Sequence, residues 1–406
     1  MTMKRISVTG LSAAGLAFAT ALAFAAGQYG PGAGDTEIKI GNTMPYSGPA
    51  SAYGIIGKTE AAYFAMINEQ GGINGRRINF ISRDDSYSPP KTVEQVRQLV
   101  EQDQVLFLFS TLGTPTNVAI HSYLNDNKVP QLLVATGADQ WNDPKRFPWT
   151  MGLIPSYGVE AHIYAHYILK NLPNAKIAVL YQNDDFGKDY LNGLRDGLGD
   201  KAAKMIVATQ SYETTDPTVD SQVASLQASG ADVLVTAAIP KFAAQTIRKV
   251  YDIGWKPTHF LSSVSNSVGT VMKTAGFEKG TGIISAAFAK DPTDPQWADT
   301  PEYKEWLAFM KKYNASANLG DVQGAIGYTY AQTLIVVLKA CGDNLTRENV
   351  MKQAASLHDV AMPMLLPGIT LSTSATDFAP IKQMQLETFD GTTWKLFGDV
   401  ISASGS

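Results

Sequence analysis

Short apolar runs alternate with longer stretches of helical periodicity along most of this chain. Ile38–Thr43, Ile78–Arg83, Val105–Phe109 and Gln131–Ala135 are brief and bounded by turn residues, which predicts buried strands rather than helices. Between them, Tyr53–Gln70, Pro90–Gln102 and Thr116–Asn127 carry apolar positions at helical spacing, the first stopped by Gly71-Gly72. Strand–helix alternation of this kind predicts a parallel sheet with helices on both faces. The pattern breaks over Trp141–Pro155, where Pro144, Pro148 and Pro155 punctuate a segment without periodicity.

A second series follows. Gly158–Asn171, Asp189–Leu198, Val219–Ser229 and Lys241–Ile253 read as helices; Lys176–Tyr181, Lys204–Thr209, Asp232–Ala237 and His259–Ser262 read as strands. A change of region falls near Ser285–Thr293, then come helices at Pro301–Tyr313 and Gln323–Ala340 and a hairpin over Gly391–Ile401, around Asp390-Gly391. The expected fold class is therefore α/β, with two doubly wound Rossmann-like lobes and a cleft between them. Such a cleft is a common ligand site.

The junction Val105–Asn117, VLFLFSTLGTPTN, carries the first chemistry. Thr114 has the character of an N-cap and Pro115 that of a first helical residue. A strand running into such a helix start points free N–H groups and a hydroxyl beyond the strand end, which favours an anion such as a carboxylate.

At 406 residues, with 45% hydrophobic and 17% charged residues, the chain has room for two cored domains. A net charge of −4 and the lack of a Lys/Arg cluster argue against nucleic acid as a partner. Lys4 and Arg5 precede an Ala/Leu/Phe-rich run ending in Ala23-Phe24-Ala25, so residues 1–25 read as a cleaved signal peptide, with Ala26 as the alternative cleavage point. Gln28–Gly34 then reads as a flexible leader. Cys341 is the sole cysteine, so no intrachain disulfide and no lipid-bearing cysteine behind the signal are expected. The mature protein is expected free of a membrane anchor, in a compartment such as a periplasm.

Several catalytic-looking patterns have plainer readings. Glu160, His162 and His166 have partial metal-ligand spacing but no glutamate between the histidines, so a partly exposed helix face is expected and no metal. Asp84-Asp85 and Asp184-Asp185 read as turn and cap residues. Gly193–Gly199 lies at a helix end, and no GxSxG, CxxC, Walker loop or GxGxxG after the first strand is present. No catalytic residue and no cofactor are expected.

Ile38–Gly54, IKIGNTMPYSGPASAYG, resembles the first strand and loop of the periplasmic solute-binding proteins of branched-chain amino acid ABC importers. Ile67–Gly75, INEQGGING, resembles that family's INxxGGINGR signature. Asp84-Asp85 with Pro89 and Pro90, Phe147–Gly158 and Tyr181–Gly187 continue the likeness, which runs from about residue 36 to the C-terminus. The resemblance implies a type I periplasmic binding protein fold, two lobes joined by three crossings that close on a solute. By that analogy 36–155 plus 288–384 form one lobe, and 156–287 plus 385–406 the other. It also implies permease subunits as partners and suits a monomeric shuttle. A ligand sensor of the same fold, feeding a receptor kinase or chemoreceptor, is the alternative.

The same likeness nominates a site. The family holds a ligand carboxylate on two strand-to-helix loops, which match Gly113-Thr114-Pro115-Thr116 and Ala135-Thr136-Gly137. Tyr53 matches an aromatic set against the ligand, Phe186 a position that is often Tyr, and Tyr157 stands beside the lobe boundary. Where amino-acid-binding relatives place an acid for the ligand ammonium, this chain has Val264, in a loop that also carries Asn266; a second family aromatic falls near Ile239. Burying an ammonium there with no counter-charge costs several kcal/mol. Either another acid substitutes, or the solute lacks an α-ammonium; the second is favoured.

Overall fold

The computed structural model describes residues 27–402. The expected signal peptide and its cleavage point lie outside the described residues. Among these residues no helix is long and apolar enough to cross a membrane.

Two sheets organise the chain. The first runs in the spatial order Arg77–Asp84, Glu37–Met44, Phe107–Phe109, Gln131–Val134, Thr150–Gly152, with every pair parallel. Phe107–Phe109 and Gln131–Val134 are buried throughout, as helices on both faces require. The second runs Trp394–Ser402, Gln383–Phe389, Ile284–Ala287, Thr258–Leu261, Val233–Ala237, Ile177–Gln182, Ile206–Tyr212. Its first pairings are antiparallel and the rest parallel. In each sheet the strand order reverses beside its first parallel strand, between Glu37–Met44 and Phe107–Phe109 and between Ile177–Gln182 and Val233–Ala237. Open α/β sheets bind ligands beyond the strand ends at such reversals.

The helices returning late in the chain complete the first body. Helix Val322–Cys341 and helix Pro301–Tyr313 both pack on helix Gly54–Glu69, through edge-on contacts of Tyr63 with Phe309 and Tyr328 at 5.5 and 5.1 Å. A Cβ on Gly327 would stand 2.8 Å from the Ile56 carbonyl oxygen, so only glycine lets these helices approach so closely.

Four expectations need correction. Gln28–Gly34 is not a loose leader: Gln28–Tyr29 pairs with Asn344–Leu345, and Arg76 bonds Tyr29 Oη, Asp343 and the Gly34 carbonyl. The segment Trp141–Pro155 holds strand Thr150–Gly152, too short to show a period of two. Helix Asp185–Leu198 starts earlier than its apolar pattern, because Asp184 caps it by accepting from Phe186 N–H and Gly187 N–H. Gln383 and Met384, expected with the first lobe, pair with Ser402 and Ile401 in the second sheet.

Candidate functional site

A cavity with about 540 Å³ of empty space, its mouth included, opens between the two sheets beyond their strand ends. Six helices begin at it. Tyr53 precedes Gly54–Glu69, Thr114 opens Thr114–Asp126, and Tyr157 opens Tyr157–Asn171. Phe186 stands in the first turn of Asp185–Leu198, Ile239 caps Pro240–Asp252, and Gln323 lies in the first turn of Val322–Cys341. Helix N-termini carry partial positive charge. Ser156, Asp184 and Asp321 already cap three of these starts, and a turn over Ser51–Tyr53 runs into a fourth. It is therefore the Thr114–Asp126 and Pro240–Asp252 starts, without a side-chain cap, that favour negative charge in the cavity.

The first wall is built from the Phe107–Phe109 and Gln131–Val134 strand ends. Asn42 Nδ2 holds the Phe109 and Ser110 carbonyls at 2.8 and 2.9 Å. Asn117 Nδ2 holds those of Thr111 and Gly113 at 2.9 and 2.6 Å. Gly113, not Thr114, is the N-cap, and no side chain caps this helix. Its φ of +98° and a Cβ that would sit 2.4 Å from the Tyr87 ring admit only glycine. Thr114 is thereby the first helical residue. Its Oγ1 lies 2.5 Å from Thr136 Oγ1, which lies 3.1 Å from Tyr157 Oη. Run head to tail in either direction, the three hydroxyls leave one end of the chain with a proton to donate. Both ends, Thr114 and Tyr157, line the cavity.

The second wall carries Phe186, Ile239, Ser263 and Val264. Tyr157 lies against Phe186 and Tyr190, ring centroids 4.7 and 5.1 Å away. Ile239 N–H donates to Tyr212 Oη at 3.0 Å, and that hydroxyl donates to Gln182 Oε1 at 3.0 Å. Gln182 Nε2 reaches Asp184 at 2.5 Å and, across the cleft, Tyr87 Oη at 3.4 Å. The Val264 carbonyl accepts from Tyr53 Oη at 3.0 Å and Gln323 Nε2 at 3.3 Å, both on the opposite side.

Among the described residues, no Asp, Glu, Lys, Arg or His lines the cavity. Its tyrosines stay protonated, since burial pushes Tyr157 up to about 12 and Tyr53 and Tyr87 further up. The lining is neutral, hydroxyl-bearing and aromatic.

Seven of the residues expected at a site line this one cavity: Tyr53, Thr114, Ala135, Tyr157, Phe186, Ile239 and Val264. Thr136 and Gly137 do not. Thr136 lies behind, as the middle of the hydroxyl chain, and Gly137 accepts from Tyr157 N–H at 2.8 Å. Asn266 is also outside the lining: its Nδ2 donates to Glu387 at 2.7 Å and its carbonyl accepts from Trp394 Nε1 at 2.6 Å. Tyr87, Gln323, Ile326 and Tyr330 line the cavity without having been expected. The last three share one face of their helix at i, i+3 and i+7, a periodicity visible in the sequence.

The catalytic-looking patterns disperse. Glu160 is buried against Ser263, while His162 is half-buried and His166 exposed. Among the described residues no three His, Cys, Asp or Glu side chains are grouped to hold a metal. Asp84 accepts from Ser47 and Ser86, which with the nearby Lys91 ammonium hold its pKa down at about 2 despite partial desolvation.

Residues 37–392 match a family described as "Periplasmic binding protein". Leu/Ile/Val-binding protein homolog 7 of Brucella abortus is 24% identical over 84% of this chain and 86% of its own length. Homolog 3 of Brucella melitensis is 26% identical over 59% of this chain and 63% of its own. Among solved structures, a branched chain amino acid ABC transporter from Thermus thermophilus with bound valine superposes with a TM-score of 0.81 at 16% identity, covering 91% of this chain and 97% of that one. A fatty acid ABC transporter substrate-binding protein from Thermomonospora curvata gives 0.76 at 21% identity, over 93% and 95%.

Proposed function

The chain belongs to the periplasmic binding protein family, with the type I fold, and from that premise we propose that it is the extracytoplasmic solute-binding subunit of an ABC importer, selective for a small carboxylate without an α-ammonium group. The family binds solutes and does not transform them. The observation that carries the reading is the charge of the cavity: the start of Thr114–Asp126 opens on it without a side-chain cap, and among the described residues no Asp, Glu, Lys, Arg or His lines it. A carboxylate gains from N–H groups and helix dipoles there. An ammonium would be buried without a counter-ion, at a cost of several kcal/mol. The names of the two structural relatives fit this division, since valine and a fatty acid share a carboxylate but not an amine.

In this mechanism the first wall takes the carboxylate at Thr114 and the spare proton of the hydroxyl chain, while Ala135, its N–H spent on the Thr111 carbonyl, only lines the wall. Phe186, Ile239 and Val264 then cover the apolar end as the lobes, 36–155 plus 288–382 and 156–287 plus 383–406, close about their crossings. Closure is driven only by the solute's excess affinity for the closed form. The closed monomer, released into the periplasm after signal removal, docks on its permease subunits. Calorimetric titration of refolded, solute-stripped protein tests the reading. Aromatic and aliphatic carboxylates should bind, and leucine, valine and phenylalanine should bind at least tenfold more weakly. Tight binding of leucine or valine with no response to their amine-free counterparts would overturn it.

A further inference from the structure

The loop carrying Val264 is held from beneath by two buried acids. Glu160, on helix Tyr157–Asn171, accepts from Ser263 N–H at 2.7 Å on Oε1 and from Ser263 Oγ at 2.5 Å on Oε2. Glu387, on strand Gln383–Phe389, takes the Asn266 amide at 2.7 Å. Ser265 Oγ donates to the Ala238 carbonyl between them, at 2.5 Å. Val264 lies between these grips, so its carbonyl direction is set by anchored neighbours on both sides. That carbonyl is the one that meets Tyr53 and Gln323 across the cleft.

Proton counting gives the state of Glu160. Tyr164 Oη lies 2.6 Å from Glu160 Oε1 and 2.8 Å from the Leu261 carbonyl. With the two Ser263 contacts this makes four hydrogen bonds, and Ser263 N–H, Ser263 O–H and Tyr164 O–H supply three protons. The fourth is present if Glu160 is a neutral acid donating from Oε1 to Tyr164 Oη, which frees the phenol proton for Leu261. Burial acts in the same direction, raising the Glu160 pKa against the lowering effect of its hydrogen bonds. The other groups facing it, Tyr190 and, across the loop, Glu387, are not cationic.

We propose that Glu160 is a positioning residue for solute capture: as an uncharged acid it sets the aim of the Val264 carbonyl and thereby how long the cleft stays shut. The proposal rests on the reading that this cavity captures a solute by closure. It assigns part of the closing force to a bond between the lobes rather than to the solute.

The test uses the mature chain with Glu160→Ala, Glu160→Gln, Tyr53→Phe and the Glu160→Ala/Tyr53→Phe pair. Stopped-flow dissociation of the tightest carboxylate in the panel should be about tenfold faster in Glu160→Ala. Glu160→Gln, which keeps an uncharged grip on Ser263, should stay within about twofold of wild type. The double variant should lose less than the product of the single losses, because Tyr53 and Glu160 act through one carbonyl without touching. A glutamine as damaging as alanine, or independent effects in the pair, would overturn the proposal. Hydrogen exchange of unliganded protein supplies a readout that needs no solute: Ser263–Ser265 amides should exchange faster in Glu160→Ala and not in Glu160→Gln. Equal protection in both refutes the positioning role even if every carboxylate fails to bind, an outcome that would separately sink the solute reading. Should Glu160→Ala not fold, Ser263→Ala removes one of the two grips and should show the same exchange change in smaller measure; unchanged exchange there counts against the proposal.

Discussion

The two walls of the cavity are made from the same parts and turn them in opposite directions. Each is a set of loops leaving the ends of parallel strands, and each is rich in hydroxyls and amides. On the first wall the hydroxyl chain Thr114–Thr136–Tyr157 has both ends in the cavity and a proton to spare. On the second, Ser263, Ser265 and Asn266 spend their side chains behind the wall, on Glu160, Ala238 and Glu387. What remains to face the first wall is apolar surface and the Val264 carbonyl, which bonds protein across the cleft rather than pointing free into it. On the function proposed above, the first wall is the recognising one and the second the covering one. A cavity can suit an anion without holding any cation when its polarity comes from an uncapped helix start and neutral donors, as on the first wall.

The sharpest way to break this contrast is to put a charge on the covering wall. Val264→Glu leaves the carbonyl in place and adds a carboxylate facing the bound one. Like charges in a cavity shielded from water repel by several kcal/mol, so affinity for amine-free carboxylates should fall about 100-fold or more. An α-amino carboxylate gains a partner for its ammonium, so the order of preference should invert. Titration of both classes against the variant checks this, and an unchanged order would mean that the second wall does not face the solute's end.

The next effect belongs to the recognising wall. Thr114→Ala removes one end of the hydroxyl chain, and affinity should drop by about 1.5–3 kcal/mol, the worth of a hydrogen bond to a charged group. Thr114→Ser should restore most of it. Thermal unfolding of the free protein should move less than affinity does, since Thr114 caps no helix.

What the sequence made legible divides along the same line. The Val105–Asn117 junction announces itself locally, because a strand, a glycine and Thr-Pro at a helix start are neighbours in the chain. The element pattern was readable for the same reason, and helix Pro301–Tyr313 has the bounds its periodicity predicts. The cap geometry expected of Thr114 belongs instead to Gly113, whose φ of +98° and contact with Tyr87 from another loop leave no local mark in the sequence. Residues whose roles depend on distant partners were not legible. Asn266 reads as a free polar loop residue until Glu387, 121 positions later, turns it inward. Glu160 reads as part of a histidine-bearing helix face, yet its partner Ser263 is 103 positions away. Gln323, Ile326 and Tyr330 show a buried face, but nothing local says that a cavity covers it.

The smallest effect on affinity comes from a proton on the recognising side, and it separates stability from binding. Asp85 is fully buried beside that wall, accepting from Tyr87 N–H at 2.9 Å and Thr92 Oγ1 at 2.9 Å. Burial raises its pKa to about 6 against the lowering effect of these bonds. An acid whose folded pKa lies above its unfolded value of about 4 keeps its proton longer in the native state. Below about pH 4 both states are protonated and Asp85 contributes no slope. Between about 4 and 6 the unfolded state binds fewer protons than the native one, so this group makes stability fall as pH rises. Above about 6 both are ionised and the loss is complete, at most about 3 kcal/mol. Asp85→Asn keeps an acceptor for Tyr87 and loses the titration. Urea unfolding from pH 4 to 7 should therefore show the variant gaining on wild type between 4 and 6 and holding that gain above. Solute affinity at pH 7 should differ by less than about twofold, because Tyr87 still stands against Gly113. A difference curve flat across this window would show that Asp85 titrates as an ordinary carboxylate, and the first wall would then be no drier at its base than at its mouth.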